Sequence, residues 1–255
     1  MREKNNKVAL VTGGTGGMGT AICERLYRDG FTVVANYVDF TEALKWREMA
    51  KQWRDDQLQM GVDVKIVQGD VTDYKSASVM MEKIENEIGP VDVLVNNAGI
   101  SKDATIRKME PAQWYEVINT NLNSVFICTR LVINKMIEKK WGRIVCISSV
   151  NGHKGAFGTV NYSTSKAAMY GFVKSVAIET VKYGVTANTV SPGYTATPLL
   201  SGIADDMMKK IVDQIPMGRL AKPTEIAAAV SYLVSDEAAF MTGSDLSING
   251  GQYMF

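Results

Sequence analysis

The chain places a phenol and an ammonium four residues apart, in Asn161-Tyr162-Ser163-Thr164-Ser165-Lys166, and a hydroxyl, Ser149, thirteen residues before the phenol. If residues 161 to 182 are helical, Tyr162 and Lys166 share one face, one turn apart. A cation held beside a phenol favours its ionised form and so makes it a better proton donor near neutral pH. That arrangement suits acid catalysis at a carbonyl oxygen. Taken alone, a tyrosine and a lysine at this spacing are far more often a structural pair, so the pair needs support from the rest of the chain.

A second cluster supplies some of it. Val11-Thr12-Gly13-Gly14-Thr15-Gly16-Gly17-Met18-Gly19 follows a short apolar run and opens a helical pattern. Gly13 can supply a tight turn, Gly17 can let the backbone approach a pyrophosphate, and Gly19 can let the helix pack close to the strand. The helix N-terminus then offers N–H groups and a positive dipole end. Placed between strand and helix, the loop reads as a dinucleotide site rather than a plain glycine-rich turn. At the end of the next predicted strand stands Tyr37, with Asp39 two residues on. A carboxylate at that point would hold the ribose hydroxyls of NAD. A tyrosine does not, which favours NADPH over NADH, although no arginine stands in the loop for a 2′-phosphate and Lys45 and Arg47 lie further along the helix.

These groups need a scaffold. Short apolar runs predict strands at 8–11, 31–35, 62–67, 91–95, 143–148, 185–190 and 246–248. Amphipathic segments predict helices at 17–29, from an N-cap at Thr41 to about 60, at 74–88, over one long stretch at 111–139, from 161, at 205–214 and at 223–235. Apolar runs without alternation suit strands buried on both faces. Strand-helix repetition then predicts an α/β fold, a doubly wound parallel sheet with helices on both faces. The 255 residues read as one domain, without linker or repeat.

Charge and composition remove other classes. With 28 basic against 27 acidic residues, nothing draws the chain to nucleic acid or to an anionic membrane. No stretch has the length of a membrane span, the polar start at 1–7 lacks a signal-peptide core, and the expected setting is cytoplasmic. Cys23, Cys128 and Cys146 lie far apart and read as buried apolar residues; no metal site is expected. His153 is the one histidine, read as a loop residue, not a catalyst.

Taken together, Thr12-Gly13 to Gly19, Asn96-Asn97-Ala98-Gly99, Asn121, Ser149, Tyr162 with Lys166, and Pro192-Gly193 make the chain resemble the short-chain dehydrogenase/reductase family along nearly its whole length. Within it, Gly142 to Gly155, Asn188 to Tyr194 and Asn249-Gly250-Gly251 are most similar to the acetoacetyl-CoA reductases of polyhydroxyalkanoate synthesis. The resemblance implies a Rossmann-type fold and NADPH-dependent reduction of the 3-oxo group of an acyl thioester, with a 3-oxoacyl-carrier-protein or an NAD-linked alcohol or sugar as alternative substrates. Tyr162 would donate the proton, Lys166 would hold the nicotinamide ribose, Ser149 would fix the substrate oxygen, and Asn121 would hold a water leading to Lys166. Cofactor contacts are implied for Gly13, Thr15, Gly17, Met18, Gly19, Asp70, Val71, Asn97, Ala98, Gly99, Pro192, Gly193, Thr195 and Thr197. Ser149, Phe157 and Tyr194 would meet substrate in a pocket faced by the loop 151–160. Ala156 and Thr159 stand where close acetoacetyl-CoA reductases tend to carry glutamines, which weakens the choice of substrate but not the chemistry. A small helical lid near 195–218 and a homotetramer are also implied. Lys209, Lys210 and Arg219 read as a solvated face, with a CoA phosphate as the functional alternative.

Overall fold

The computed structural model describes residues 6–39, 43–198 and 204–254. Its strands are β1 (Val8–Val11), β2 (Thr32–Tyr37), β3 (Lys65–Gln68), β4 (Val91–Asn96), β5 (Gly142–Ile147), β6 (Val185–Pro192) and β7 (Asp245–Ile248). They form one sheet in the order β3-β2-β1-β4-β5-β6-β7, and every neighbouring pair is parallel. The helices are α1 (Gly17–Arg28), α2 (Ala43–Gln59), α3 (Tyr74–Glu87), α4 (Pro111–Ile118), α5 (Ser124–Glu138), α6 (Val150–Lys154), α7 (Val160–Thr180), α8 (Asp205–Asp213) and α9 (Pro223–Val234).

The two-residue period of a strand explains the uninterrupted apolar runs. In β1, Val8 and Leu10 join one core with Met80 and Ile84 of α3, Val132 and Met136 of α5, and Met169 and Val173 of α7. Ala9 and Val11 join the opposite core with Ile22 and Leu26 of α1 and Ile226 and Leu233 of α9. Burying each of the larger side chains contributes about 1.5–3 kcal/mol, so both faces of the strand must be apolar. The three cysteines sit in these cores, where burial pushes their thiols up, Cys128 and Cys146 to about 12.

The chain leaves β1 for β2 on one side and returns past it to β4 on the other. At such a reversal the connections from neighbouring strands diverge and leave a crevice at their carboxyl ends. The glycine loop follows β1 there, and Asn97 to Gly99 follow β4.

The sequence expectations hold for most elements, and β1 matches residue for residue. Two expectations are corrected. The stretch predicted as one helix over 111–139 is α4 and α5 joined by a π-helical turn, Asn119–Asn123. The stretch 151–160, predicted as a loop, begins inside α6, so His153 is a helical residue. The strand predicted at 62–67 is paired only from Lys65, although Val62 and Val64 are buried ahead of it. The N-cap predicted at Thr41 lies outside the described residues, as do 199–203 in the predicted lid.

Candidate active site

Gly13 turns the chain with φ +60°, a conformation that favours glycine. The end of β4 holds this turn in place. Asn97 donates its side-chain amide to Thr12 O at 2.9 Å and Gly13 O at 3.1 Å, and Thr12 Oγ1 accepts from the Asn97 and Ala98 amides, both at 3.0 Å. A Cβ on Gly19 would lie 2.9 Å from Gly14 Cα, so the close approach this glycine allows is of the helix to the loop and not, as expected, to the strand. The N-cap of α1 is Gly16, which brings no side-chain acceptor to the first amides of the helix. These amides can therefore serve an anion.

A groove of about 550 Å³ opens over the loop, lined by Gly13, Thr15, Gly17, Met18, Gly19, Asn97, Ala98, Gly99 and Thr197 among the predicted residues. Asp70 and Val71 do not line it. Asp70 Oδ1 instead accepts from Thr72 N at 2.8 Å and Thr72 Oγ1 at 2.7 Å, and Val71 is in the core. The far wall went unread in the sequence: Trp46, Met49, Ala50 and Trp53 of α2. Their i, i+3, i+4, i+7 spacing is the signal that marks one helical face. Trp53 Nε1 pins this wall to α1 through Thr20 Oγ1, at 3.0 Å. Free helix amides, an apolar wall suited to a base and this volume fit a dinucleotide.

Tyr37 ends β2 and lines the groove, as expected. Asp39, whose side chain is 7% exposed, is held by Arg47 at 2.7 Å. Arg47 thus reaches back from the helix to the end of β2, closer than its place in the sequence implies.

The groove continues into a second pocket, of about 290 Å³, and Met18 and Thr197 line both. Ser149, Tyr162, Phe157, Tyr194, Pro192, Gly193 and Thr195 line the second one, joined by Ser101 and Asp103, which sequence reading did not single out. Ser149 is the N-cap of α6, its Oγ accepting from Asn151 N at 3.1 Å. Its hydroxyl also acts on the Tyr162 phenol, lowering it toward ionisation. Phe157 stands at the rim, 93% exposed.

Lys166 is buried one turn beyond Tyr162, with Nζ 5.6 Å from the centre of the phenol ring. It donates to Ile147 O at 2.7 Å, and burial brings it down to about 8. The sequence expectation was a phenol shifted toward ionisation. The structure shows the reverse: burial pushes Tyr162 up, and Ser149 only partly offsets this. The Lys166 ammonium, 5.6 Å from the ring centre, does not lower the phenol appreciably.

Asn121 is fully buried in the π-turn. Its side chain takes Ile100 N at 2.8 Å and gives to Ile100 O at 3.0 Å and Ser165 Oγ at 3.1 Å, while Ser165 Oγ donates to Tyr162 O at 2.7 Å. The extra backbone residue of a π-turn is what carries Asn121 inward to α7. A Cβ on Gly99 would lie 3.3 Å from both Asn121 Oδ1 and Lys166 Nζ, so the three meet where groove and pocket join.

On the substrate side, Arg219 is engaged by both oxygens of Glu225, at 2.7 and 2.8 Å. That leaves Lys209 and Lys210 of α8 as the exposed cations of the predicted lid. None of the residues of α8 is buried. No group of three His, Cys, Asp or Glu among the described residues could hold a metal ion, and no described helix is long and apolar enough to cross a membrane.

A glycine loop at the reversal of a parallel sheet, opening onto a serine, a tyrosine and a buried lysine, defines an oxidoreductase that works with a nicotinamide dinucleotide. The chain belongs to the short chain dehydrogenase family, whose model matches residues 7–208. It is 47% identical to the acetoacetyl-CoA reductase of Allochromatium vinosum, over 97% of this chain and 99% of that one. It is 49% identical to nodulation protein G of Azospirillum brasilense, over 97% and 98%, and 42% identical to the 3-oxoacyl-[acyl-carrier-protein] reductase of Escherichia coli, over 97% and 98%.

Proposed function

We propose that the protein reduces 3-oxoacyl thioesters with NADPH, with acetoacetyl-CoA as substrate and 3-hydroxybutyryl-CoA as product. The observation that carries the reading is the meeting of the two cavities: Ser149 and Tyr162 line the second pocket with Met18 and Thr197, which also line the groove, and Lys166 lies behind Gly99 of the groove. The likeness to acetoacetyl-CoA reductases supports the substrate.

NADPH supplies the hydride when bound, and the glycine loop, the α1 amides, Asn97 to Gly99 and Thr197 hold it. Ser149 Oγ accepts a hydrogen bond from Asn151 N, which leaves its own O–H to donate to the 3-oxo oxygen and fix that oxygen's place. Tyr162, kept protonated by burial, gives its proton to the same oxygen as charge develops there. Lys166, at about 8, is poised to pass a proton near neutral pH, and Asn121 sits on its path outward. Phe157 and Tyr194 bound the acyl side. Tyr37 in place of a carboxylate, with Asp39 occupied by Arg47, supports NADPH over NADH. We place α8 as the lid over the pocket. We read exposed Phe126 of α5 and Ile178 of α7 as faces of a homotetramer.

The likeness to a carrier-protein reductase supports a second reading, in which the thioester is borne by a carrier protein. NADPH oxidation is measured against acetoacetyl-CoA, a longer 3-oxoacyl-CoA and a carrier-protein thioester, with Tyr162→Phe as control. Preference for acetoacetyl-CoA, lost by at least about a hundredfold in Tyr162→Phe with NADPH binding kept, is expected. Inactivity on all three, or full activity in the variant, overturns the reading.

A further inference from the structure

α6 has five residues, about 7 Å of helix, too few to hold its own position. Contacts at its two ends therefore decide where its N-cap, Ser149, sits. At the near end, Tyr170 of α7 donates its hydroxyl to the Ser149 carbonyl at 3.1 Å and meets Ser191 Oγ at 3.0 Å. At the far end, His153 Nε2 meets Asp245 Oδ2 at 2.9 Å, the two side chains being 11% and 14% exposed. The other oxygen of Asp245 accepts from Ser191 Oγ at 2.6 Å and from Thr189 Oγ1 at 2.5 Å. The His153 ring stacks on Tyr170, with centroids 4.4 Å apart, and on Tyr253 at 5.2 Å.

The contacts close a circuit that starts and ends on α6: Ser149, Tyr170, Ser191, Asp245, His153. Gly152 completes it, since a Cβ there would lie 2.9 Å from the Tyr170 hydroxyl. The hydroxyl protons of the circuit can be assigned. Ser191 and Thr189 give theirs to the Asp245 carboxylate, so Ser191 Oγ accepts, and the single proton of Tyr170 is shared between Ser191 and the Ser149 carbonyl. Tyr170, His153 and Asp245 are all absent from the lining of the Ser149 pocket, so none of them lines the space where a substrate would sit.

We infer that Tyr170, His153 and Asp245 are positioning residues that clamp α6 at both ends and so set the direction of the Ser149 hydroxyl. The inference rests on the role proposed above for Ser149. Misplacement of a reacting group by about 1 Å costs up to about a hundredfold in rate, and loss of one of two pins should give roughly a tenth of the turnover.

The test is a double-mutant cycle in NADPH oxidation with acetoacetyl-CoA, using Ser149→Ala, Tyr170→Phe and the pair together. Tyr170→Phe is expected to lower kcat about tenfold and to leave NADPH affinity unchanged. It should cause no further loss once Ser149 is alanine. His153→Ala should match Tyr170→Phe, and His153→Gln, which can still bond to Asp245, should recover most of the rate. An equal loss from Tyr170→Phe in both backgrounds, or no loss in the native one, overturns the positioning role. Full turnover in Ser149→Ala instead overturns the role of Ser149 itself, and the positioning role falls with it.

Discussion

Lys166 is buried with its ammonium on a single backbone carbonyl, and this should be visible in the stability of the fold. A lysine in the unfolded chain titrates near 10.5, whereas burial brings Lys166 to about 8. Between those two values the unfolded chain keeps a proton that the folded protein has released. The unfolded state then binds more protons, so stability rises with pH across that window. Each pH unit is worth about 1.36 kcal/mol, and the window therefore gives about 3 kcal/mol. Below pH 8 the ammonium is charged in both states and the folded protein carries the whole cost of burying it. Lys166→Met has no such group. Its lost hydrogen bond to Ile147 O is independent of pH and cancels in the comparison. Urea unfolding of both proteins at pH 7, 8, 9 and 10, without added cofactor, is the assay. Between pH 7 and 10 the native protein should gain on the variant by about 2.5 kcal/mol, most of it above pH 8. Parallel curves would refute the reasoning, because they would mean that Lys166 titrates alike in both states.

Gly19→Ala puts a methyl 2.9 Å from Gly14 Cα and 3.0 Å from Asn97 Nδ2, both parts of the loop's own support. The strain of about 1–3 kcal/mol should weaken NADPH binding tenfold or more, read as loss of quenching of Trp46 and Trp53, and an unchanged affinity would show that the loop yields. Arg47→Ala releases Asp39 beside the end of β2. The change should move cofactor preference toward NADH about fivefold, measured as the ratio of kcat/KM for the two dinucleotides; a ratio that stays put argues against Arg47 as a determinant.

The sheet was legible because each strand buries two faces and so leaves an unbroken apolar run, with Val8 to Val11 the clearest case. The glycine loop and the Ser149, Tyr162 and Lys166 spacing were legible because backbone geometry and helical period act over a few residues. Features that depend on distant parts of the chain were not. Asn119 to Asn123 contains no helix breaker, and the π-turn there is settled by where Asn121 bonds, to Ile100 and Ser165. α6 carries two glycines in and beside five residues and is held by Tyr170 and Asp245, which no local pattern reports. Asp70 matched a motif, and the structure adds that one of its carboxylate oxygens accepts from Thr72 in its own turn, a contact the motif does not report. The shift of Tyr162 is set first by its burial, which depends on how distant segments close over it.

The support of the glycine loop also sets an order of assembly. Thr12 N bonds to Val95 O at 3.0 Å, and Asn97 bonds back to Thr12 and Gly13, more than eighty residues further along the chain. A nascent chain therefore makes its phosphate-binding turn early but fixes it only once β4 has left the ribosome and docked beside β1. Closing that span is costly in entropy and slow. Until then the first three strands and their helices must wait with one edge of β1 unpaired, an edge open to other chains. The stretch of synthesis between β1 and β4 is thus an interval open to misassembly, and it ends with Asn97, which lines the groove proposed for the cofactor.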